Sequence, residues 1–143
     1  MDPQVASARL PRMNIDFVSD VACPWCAVGL NALEIALQRI GADIPVEIHF
    51  QPFELNPQMG PAGEDAVAYL SAKYGISAEQ SAHNQAAIRE RGAAVGFAFG
   101  TRARVWNTFD AHRLLHWAGE EGQATCHRAS SPRQRKPDAL PAA

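Results

Sequence analysis

The strand–helix–strand order of residues 14–51 constrains the fold of this chain more than any other feature. Residues 14–18 alternate in polarity and end in a β-branched valine, a pattern that predicts a strand. A helix follows, because apolar residues recur every three or four positions in one stripe: Leu30, Leu33, Leu37 and Ile40. Residues 46–51 again alternate apolar and polar side chains and predict a second, half-buried strand. Because the connections are short, we expect parallel strands joined by a right-handed crossover, a βαβ unit.

Residues 52–63 are rich in proline and glycine and predict a loop, so the βαβ unit and its loop occupy residues 13–63. Residues 64–123 then predict an all-helical insertion. The first helix of this insertion ends at Gly75, and its expected apolar face contains Val67, Leu70 and Tyr74.

Two further helices are predicted in the insertion. Ser77 and Gln80 have the spacing of a capping box, which starts a helix that runs to about Ala94. The last helix is predicted over residues 107–120. Its expected inner face has five members: Phe109, Ala111, Leu114, Leu115 and Ala118.

The two ends of the chain differ from this central region. Residues 1–12 predict a disordered lead, and Met13 is an equally good start. Residues 124–143 carry four of the thirteen basic residues but one acid, and they lack apolar periodicity, so they predict a disordered basic tail. The whole chain has a net charge of -2 and no apolar run near the roughly 18 residues of a membrane span. These features give no indication of a nucleic-acid or membrane partner.

The strongest chemical signal is the Cys-x-x-Cys pair at the junction of the first strand and helix. The helix N-terminus stabilises a thiolate at Cys23, the attacking residue, and Cys26 lies one turn further on, where it resolves a mixed disulfide. Pro24 fits the first helical turn, and Trp25 is expected to offer a flat apolar surface to a substrate. The electron carrier would be the Cys23–Cys26 disulfide itself, with no other cofactor.

Two structural interpretations of the pair stay open. Half a zinc site needs a second pair of ligands, and the adjacent Cys126 and His127 lie in the segment predicted to be disordered. Alternatively, both cysteines are small buried hydrophobic residues. The odd cysteine count and the lack of a secretory signal favour a reducing, cytoplasmic location.

Several polar and aromatic residues are weaker candidates for the site. Asp20, three residues before Cys23, favours a turn over a proton relay to the resolving thiol. His112 and His116 have a spacing compatible with metal binding, but without a third ligand a packing or surface role is favoured, and no metal site is predicted. Trp106, Asn107 and His112 are tentative substrate-binding residues near the last helix; the sequence leaves open whether they line a cleft or fill the core.

Three ordered stretches carry a family resemblance. Residues 15–29, which contain the Cys23-Pro24-Trp25-Cys26 motif, resemble the opening of the DsbA-like thioredoxin-fold oxidoreductases, in particular their FrnE-like branch. Residues 50–57 are similar to that branch's second strand and following loop, and residues 106–115 to its helical-insert motif. The resemblance implies an α/β, thioredoxin-like fold with a helical insertion, and thiol–disulfide exchange with Cys23 as nucleophile and Cys26 as resolving cysteine.

The resemblance stops where the family returns to its sheet through a cis-proline loop, two antiparallel strands and a final helix. Residues 124–143 show no strand pattern, so we expect an incomplete fold that lacks the C-terminal strands, with the reading frame lost near Gln123. The expected function is thiol–disulfide exchange, weakened by the incomplete fold, with protein or small-molecule thiols and disulfides as partners. Two alternatives stay open: a non-catalytic truncated fragment or interaction module, and an isomerase or glutathione-dependent transferase on the same scaffold.

Overall fold

A computed structural model describes residues 12–121 of the chain. The predictions for the disordered lead, for Cys126 and His127, and for the basic tail at residues 124–143 lie outside the described residues.

Two parallel strands with a helix between them form the first part of the structure. Strand β1 (Met13–Ser19) pairs in parallel with β2 (Val46–Pro52), with Met13 opposite Val46 and Phe17 opposite Phe50. The Phe17 and Phe50 rings meet edge to face, with centroids 5.8 Å apart. Within residues 12–121, these strands pair with each other alone. The predicted βαβ unit is confirmed.

Helix α1 (Pro24–Ile40) connects the two strands and begins at the cysteine pair. Cys23 is its N-cap residue, and Pro24 occupies the first helical position, where a missing N–H removes no helical hydrogen bond. Gly41, with φ of 70°, ends the helix as predicted, and a short 3-10 turn (Gly41–Asp43) leads into β2.

The predicted helical block contains a small sheet that the sequence analysis missed. Strand β3 (Glu64–Asp65) pairs antiparallel with β4 (Arg104–Val105), and Arg104 donates hydrogen bonds to the carbonyls of Ala62 and Gly63. Two-residue strands are too short for polarity to alternate along them, so periodicity does not reveal them.

Helix α2 (Ala66–Tyr74) turns Ala66 to the core, and the predicted inner face is wrong at Val67 and Tyr74, which are exposed, while the predicted Leu70 is half-buried. Ala66 is fully buried and packs with Met59 and Val105, with Tyr69 against this cluster, whereas Tyr74 is 60% exposed. The face is set by the start of the helix, because the Ala66 N–H donates to the carbonyl of Ala103 beside the β3–β4 pair.

Helix α3 (Ala78–Ala94) begins as predicted, since the Ser77 hydroxyl accepts a hydrogen bond from the Gln80 N–H at 3.1 Å. Gly92 lies on its packed side. A Cβ atom at this position would lie 2.5 Å from the ring of Phe99 and 2.7 Å from the carbonyl of Phe97. Glycine therefore allows the 97–102 segment to approach the helix closely.

Helix α4 (Phe109–Glu120) starts two residues later than predicted, because the Asn107 side chain accepts a hydrogen bond from the Phe109 N–H. The predicted inner face is wrong at Phe109 and Leu114, which are 53% and 61% exposed, and at Ala111, which is also exposed. The buried residues of the helix are His112, Leu115 and Ala118. The orientation is set by a polar contact of His112 with Asp20, in the turn that follows β1, and not by the largest apolar side chains.

Candidate active site at the Cys23–Cys26 turn

Cys23 lies at the point where the chain leaves β1 and enters α1. Its N–H donates to the Asp20 carbonyl at 3.0 Å, and its own carbonyl accepts from the N–H groups of Cys26 and Ala27. Cys23 thus forms the N-cap with extended backbone angles, at the end of the helix where the N–H groups of the first turn lack helical partners.

Cys26 lies one helical turn further on, and both cysteines are partly exposed, free thiols. Burial raises the pKa of the Cys26 thiol above its ordinary value, and the charges and side chain of the neighbouring Cys23 and the charge of Asp20 raise it further. A hydrogen bond from the Asp20 backbone acts in the opposite direction. Cys26 is therefore protonated at neutral pH.

Asp20 is the buried anchor of the turn, with 3% of its surface exposed. One carboxylate oxygen accepts the Ala22 N–H at 3.0 Å, and the other accepts the Leu55 N–H at 2.8 Å. The first of these bonds closes an Asx turn, in agreement with the turn interpretation from the sequence. The second ties the cysteine turn to the loop that follows β2, an additional role that no local pattern reveals.

His112 of α4 packs against the same carboxylate. Its Nε2 lies 3.4 Å from Asp20 Oδ1, and the two side chains are 9% and 1% exposed. The contact has the distance of an ion pair but lacks hydrogen-bond geometry, so His112 Nε2 is buried without a hydrogen-bond partner in the described structure. Helix α4 is thereby placed directly behind the turn that holds Cys23.

A cavity of about 480 Å³ opens beside Cys23, and we call it the cysteine cleft. Its walls come from the start of α1, the loop after β2, helices α2 and α3, and the segment that precedes β4. Aromatic and apolar residues form much of its lining: Trp25, Leu55, Tyr69, Leu70, Tyr74, Ile76, Ile88 and Phe99. A second cavity of about 380 Å³ lies on the other side of the turn and is lined by both cysteines, Phe17, Leu30 and Phe50.

A polar cluster around Asn56 connects α2, one wall of the cysteine cleft, to the loop that follows β2. Asn56 Oδ1 accepts hydrogen bonds from the Tyr69 hydroxyl and from Lys73 Nζ, and Lys73 also donates to the Leu55 carbonyl. The Lys73 ammonium lies 5.7 Å from the centroid of the Tyr69 ring, a cation–π distance. The sequence analysis missed Tyr69 and Lys73, although their i,i+4 spacing on a helix was a signal of contact.

The tentative substrate-binding residues fall in different places. Pro24 and Trp25 line the cysteine cleft, and Trp25 is 53% exposed. Trp106 stacks on Arg104, and the Asn107 amide donates to the Met59 carbonyl; neither residue lines the cysteine cleft or the second cavity beside it. His112 reaches the cysteine turn through Asp20. Binding of substrate by these residues stays a prediction.

The described residues 12–121 contain neither a metal-binding cluster of side chains nor a helix that could span a membrane. No group of three or more His, Cys, Asp or Glu side chains there is placed to hold a metal ion. The helices between residues 12 and 121 include none long and apolar enough to cross a bilayer.

The structure is a partial thioredoxin-like α/β fold of the DsbA type. It combines a parallel βαβ unit, a dithiol at the strand-to-helix turn and a helical segment that packs beside this turn. The model of the DSBA-like thioredoxin domain family matches residues 14–132, which is most of the chain. The chain therefore belongs to the DSBA-like thioredoxin domain family, and the predicted family and fold class are confirmed. The match extends beyond Gln123, so the predicted domain boundary there, like the FrnE-like branch, stays a prediction.

Among solved structures, the chain is similar to a probable DsbA oxidoreductase from Streptomyces coelicolor. The two share 36% sequence identity with a TM-score of 0.77, and the match covers 84% of this chain and 53% of the other. This chain thus spans about half the length of that relative. No curated protein matches the chain significantly.

Proposed function

We propose that the protein is a thiol–disulfide oxidoreductase whose redox-active groups are Cys23 and Cys26. The observation that carries this proposal is a pair of free thiols at the start of α1, within a DSBA-like thioredoxin domain and at the mouth of a cleft. The DsbA oxidoreductase similarity supports the same reaction class. The two sulfurs carry the electrons, and no further cofactor takes part.

The two cysteines have different roles because their environments differ. Cys23, at the helix N-terminus, attacks a substrate disulfide as a thiolate; the substrate S–S bond breaks, a mixed disulfide forms, and one substrate thiolate leaves and takes up a proton. Cys26, which holds its proton through its raised pKa, then loses that proton and attacks the Cys23 sulfur. The Cys23–Cys26 disulfide forms and the second substrate thiol is released.

This exchange is balanced without another reagent. Counted from the dithiol, and including the proton that Cys23 releases when it becomes a thiolate, the protein gives up two electrons and two protons. The substrate disulfide takes up two electrons and two protons to become two thiols, and the reverse sequence oxidises a dithiol. In a reducing cytoplasm, the compartment we propose, the dithiol form dominates and the reductive direction is favoured.

Single-cysteine variants of the full chain test the proposal. With a disulfide-bonded peptide as substrate, Cys23→Ser is expected to abolish exchange. Cys26→Ser is expected to stop at a mixed disulfide, which mass spectrometry detects as protein plus peptide. Full exchange by Cys23→Ser would contradict the proposal. Glutathione turnover that survives in Cys26→Ser would favour a transferase.

A further inference from the structure

The charges of the cysteine cleft are of one sign. Three cationic side chains line it, Lys73, Arg89 and Arg102, and the described lining residues include no Asp or Glu. The Lys73 ammonium bonds to neutral oxygens, and no ion pair or side-chain hydrogen bond joins the guanidinium of Arg89 or Arg102 to another group in residues 12–121. The chain as a whole carries net negative charge, so this local excess is a property of the cleft and not of the protein.

The wall of the cleft on α3 also contains a buried polar group. Ser81 lines it from α3 and is 2% exposed, yet its hydroxyl has no hydrogen-bond partner among the described residues. Buried hydroxyl groups in native proteins are ordinarily paired. This hydroxyl lies beneath the surface of the cleft, so the three cations, and not Ser81, set the charge preference of the cleft.

The rim of the cleft has the composition of a polypeptide-binding surface. Trp25 is 53% exposed and Tyr74 is 60% exposed, and Arg89 is exposed beside them on α3. Tyr, Trp and Arg are the side chains most enriched where proteins bind other polypeptides, since each supplies large contact area with a polar end. A small disulfide that reacts at Cys23 would not extend to these rim residues, whereas a polypeptide substrate would contact them.

We propose that the cleft selects an acidic polypeptide segment, with the reacting half-cystine at Cys23 and a flanking carboxylate among Lys73, Arg89 and Arg102. This inference rests on the proposed exchange reaction and names its substrate class. Arg102 is central to it, because this half-buried residue lines both the cysteine cleft and the second cavity that Cys23 lines.

The test uses the full-length reduced protein and three synthetic peptides that differ at the two positions flanking one cysteine, which carry Glu, Gln or Lys. Each cysteine is joined by a disulfide to a neutral thiopyridyl group, whose release is followed by absorbance. Each rate is divided by the same peptide's rate with a small neutral thiol, which removes the effect of flanking charge on the disulfide itself. We expect the Glu peptide to react about tenfold faster than the Gln peptide at low salt. The Lys peptide should be the slowest.

Variants locate the preference in the cleft. Arg102→Gln should reduce the Glu-to-Gln rate ratio about threefold, and Arg102→Lys should keep it. Arg91→Gln removes an exposed arginine from the same helix as Arg89 but outside the cleft, so it should leave the ratio at the wild-type value. In 1 M salt, where screening acts over about 3 Å, the ratio should approach one.

Different outcomes would overturn the acidic substrate class and the exchange reaction. Equal normalised rates for the three peptides, or an equal loss of preference in Arg91→Gln and Arg102→Gln, would overturn the acidic substrate class but leave the exchange reaction intact. A small dicarboxylate disulfide that reacts faster than the Glu peptide would overturn the polypeptide occupant. No exchange with any peptide would overturn the proposed function and this inference with it.

Discussion

Asp20 is the residue whose removal should most disturb the cysteine turn, because two chain segments depend on its carboxylate. Its oxygens accept the N–H groups of Ala22 and Leu55, and both of these residues line the cysteine cleft. In Asp20→Ala both N–H groups lose their acceptor in a buried place. In Asp20→Asn one oxygen remains, and an amide NH₂ group faces the other donor.

The magnitude follows from these two contacts. A hydrogen bond to a charged group contributes about 1.5–3 kcal/mol to stability. Asp20→Ala should therefore lower the free energy of unfolding by about 3–6 kcal/mol, and Asp20→Asn by about half as much. Since a whole domain is stabilised by about 5–15 kcal/mol, the alanine variant should lose a large part of its stability.

Urea unfolding of the reduced protein at pH 7, followed by tryptophan fluorescence, measures this effect. Asp16→Asn is the matched control: it makes the same chemical change four residues earlier, on β1, at a side chain that is 67% exposed. It should alter stability by less than about 0.5 kcal/mol. If Asp20→Ala is unfolded without urea, Asp20→Asn supplies the measured value. An Asp20→Asn variant as stable as the Asp16→Asn control would refute the anchoring role.

Two further predictions concern the thiol and the helix packing. Because folding raises the pKa of Cys26, the reduced folded state holds that proton more tightly than the unfolded chain does. The free energy of unfolding should therefore decline as pH rises above the ordinary thiol pKa of about 8.5. Urea midpoints measured between pH 7 and 10 should decline less in Cys26→Ser than in the wild type, and equal declines would contradict the effect of burial on this thiol. Both Gly92→Ala and Gly29→Ala gain about 1 kcal/mol of helix propensity. Gly92→Ala also forces a Cβ atom into Phe99 at a cost of about 1–3 kcal/mol, whereas the Gly29 position is open. Thermal unfolding should place Gly29→Ala above Gly92→Ala in Tm, and the reverse order would show that Phe99 yields without cost.

The parts of the fold that follow from sequence are those whose signal is local. The apolar stripe of α1 and the alternation in β2 predicted the βαβ unit, and the Ser77 cap predicted the start of α3. The two cysteines were found in the same way, since a motif and its strand–helix context are both local.

The parts that were missed depend on contacts between distant residues. The inner face of α4 was predicted from Phe109 and Leu114, yet the helix turns His112 inward to meet Asp20, which lies far away in sequence. A pattern of apolar residues cannot show which polar residue has a buried partner elsewhere. The basic lining of the cysteine cleft was missed for the same reason, because α2, α3 and the segment before β4 each contribute one cation.

The short β3–β4 pair also makes the helical segment modular. Glu64 lies opposite Val105 and Asp65 opposite Arg104, so the chain leaves this segment beside the place where it entered. The helices between these two points can lengthen, shorten or change their surface residues without a change in the distance that the flanking chain must span. Changes in α2 and α3 can therefore alter their wall of the cysteine cleft while the dithiol turn keeps its position. The β3–β4 pair is accordingly a suitable junction at which to exchange these helices between related chains.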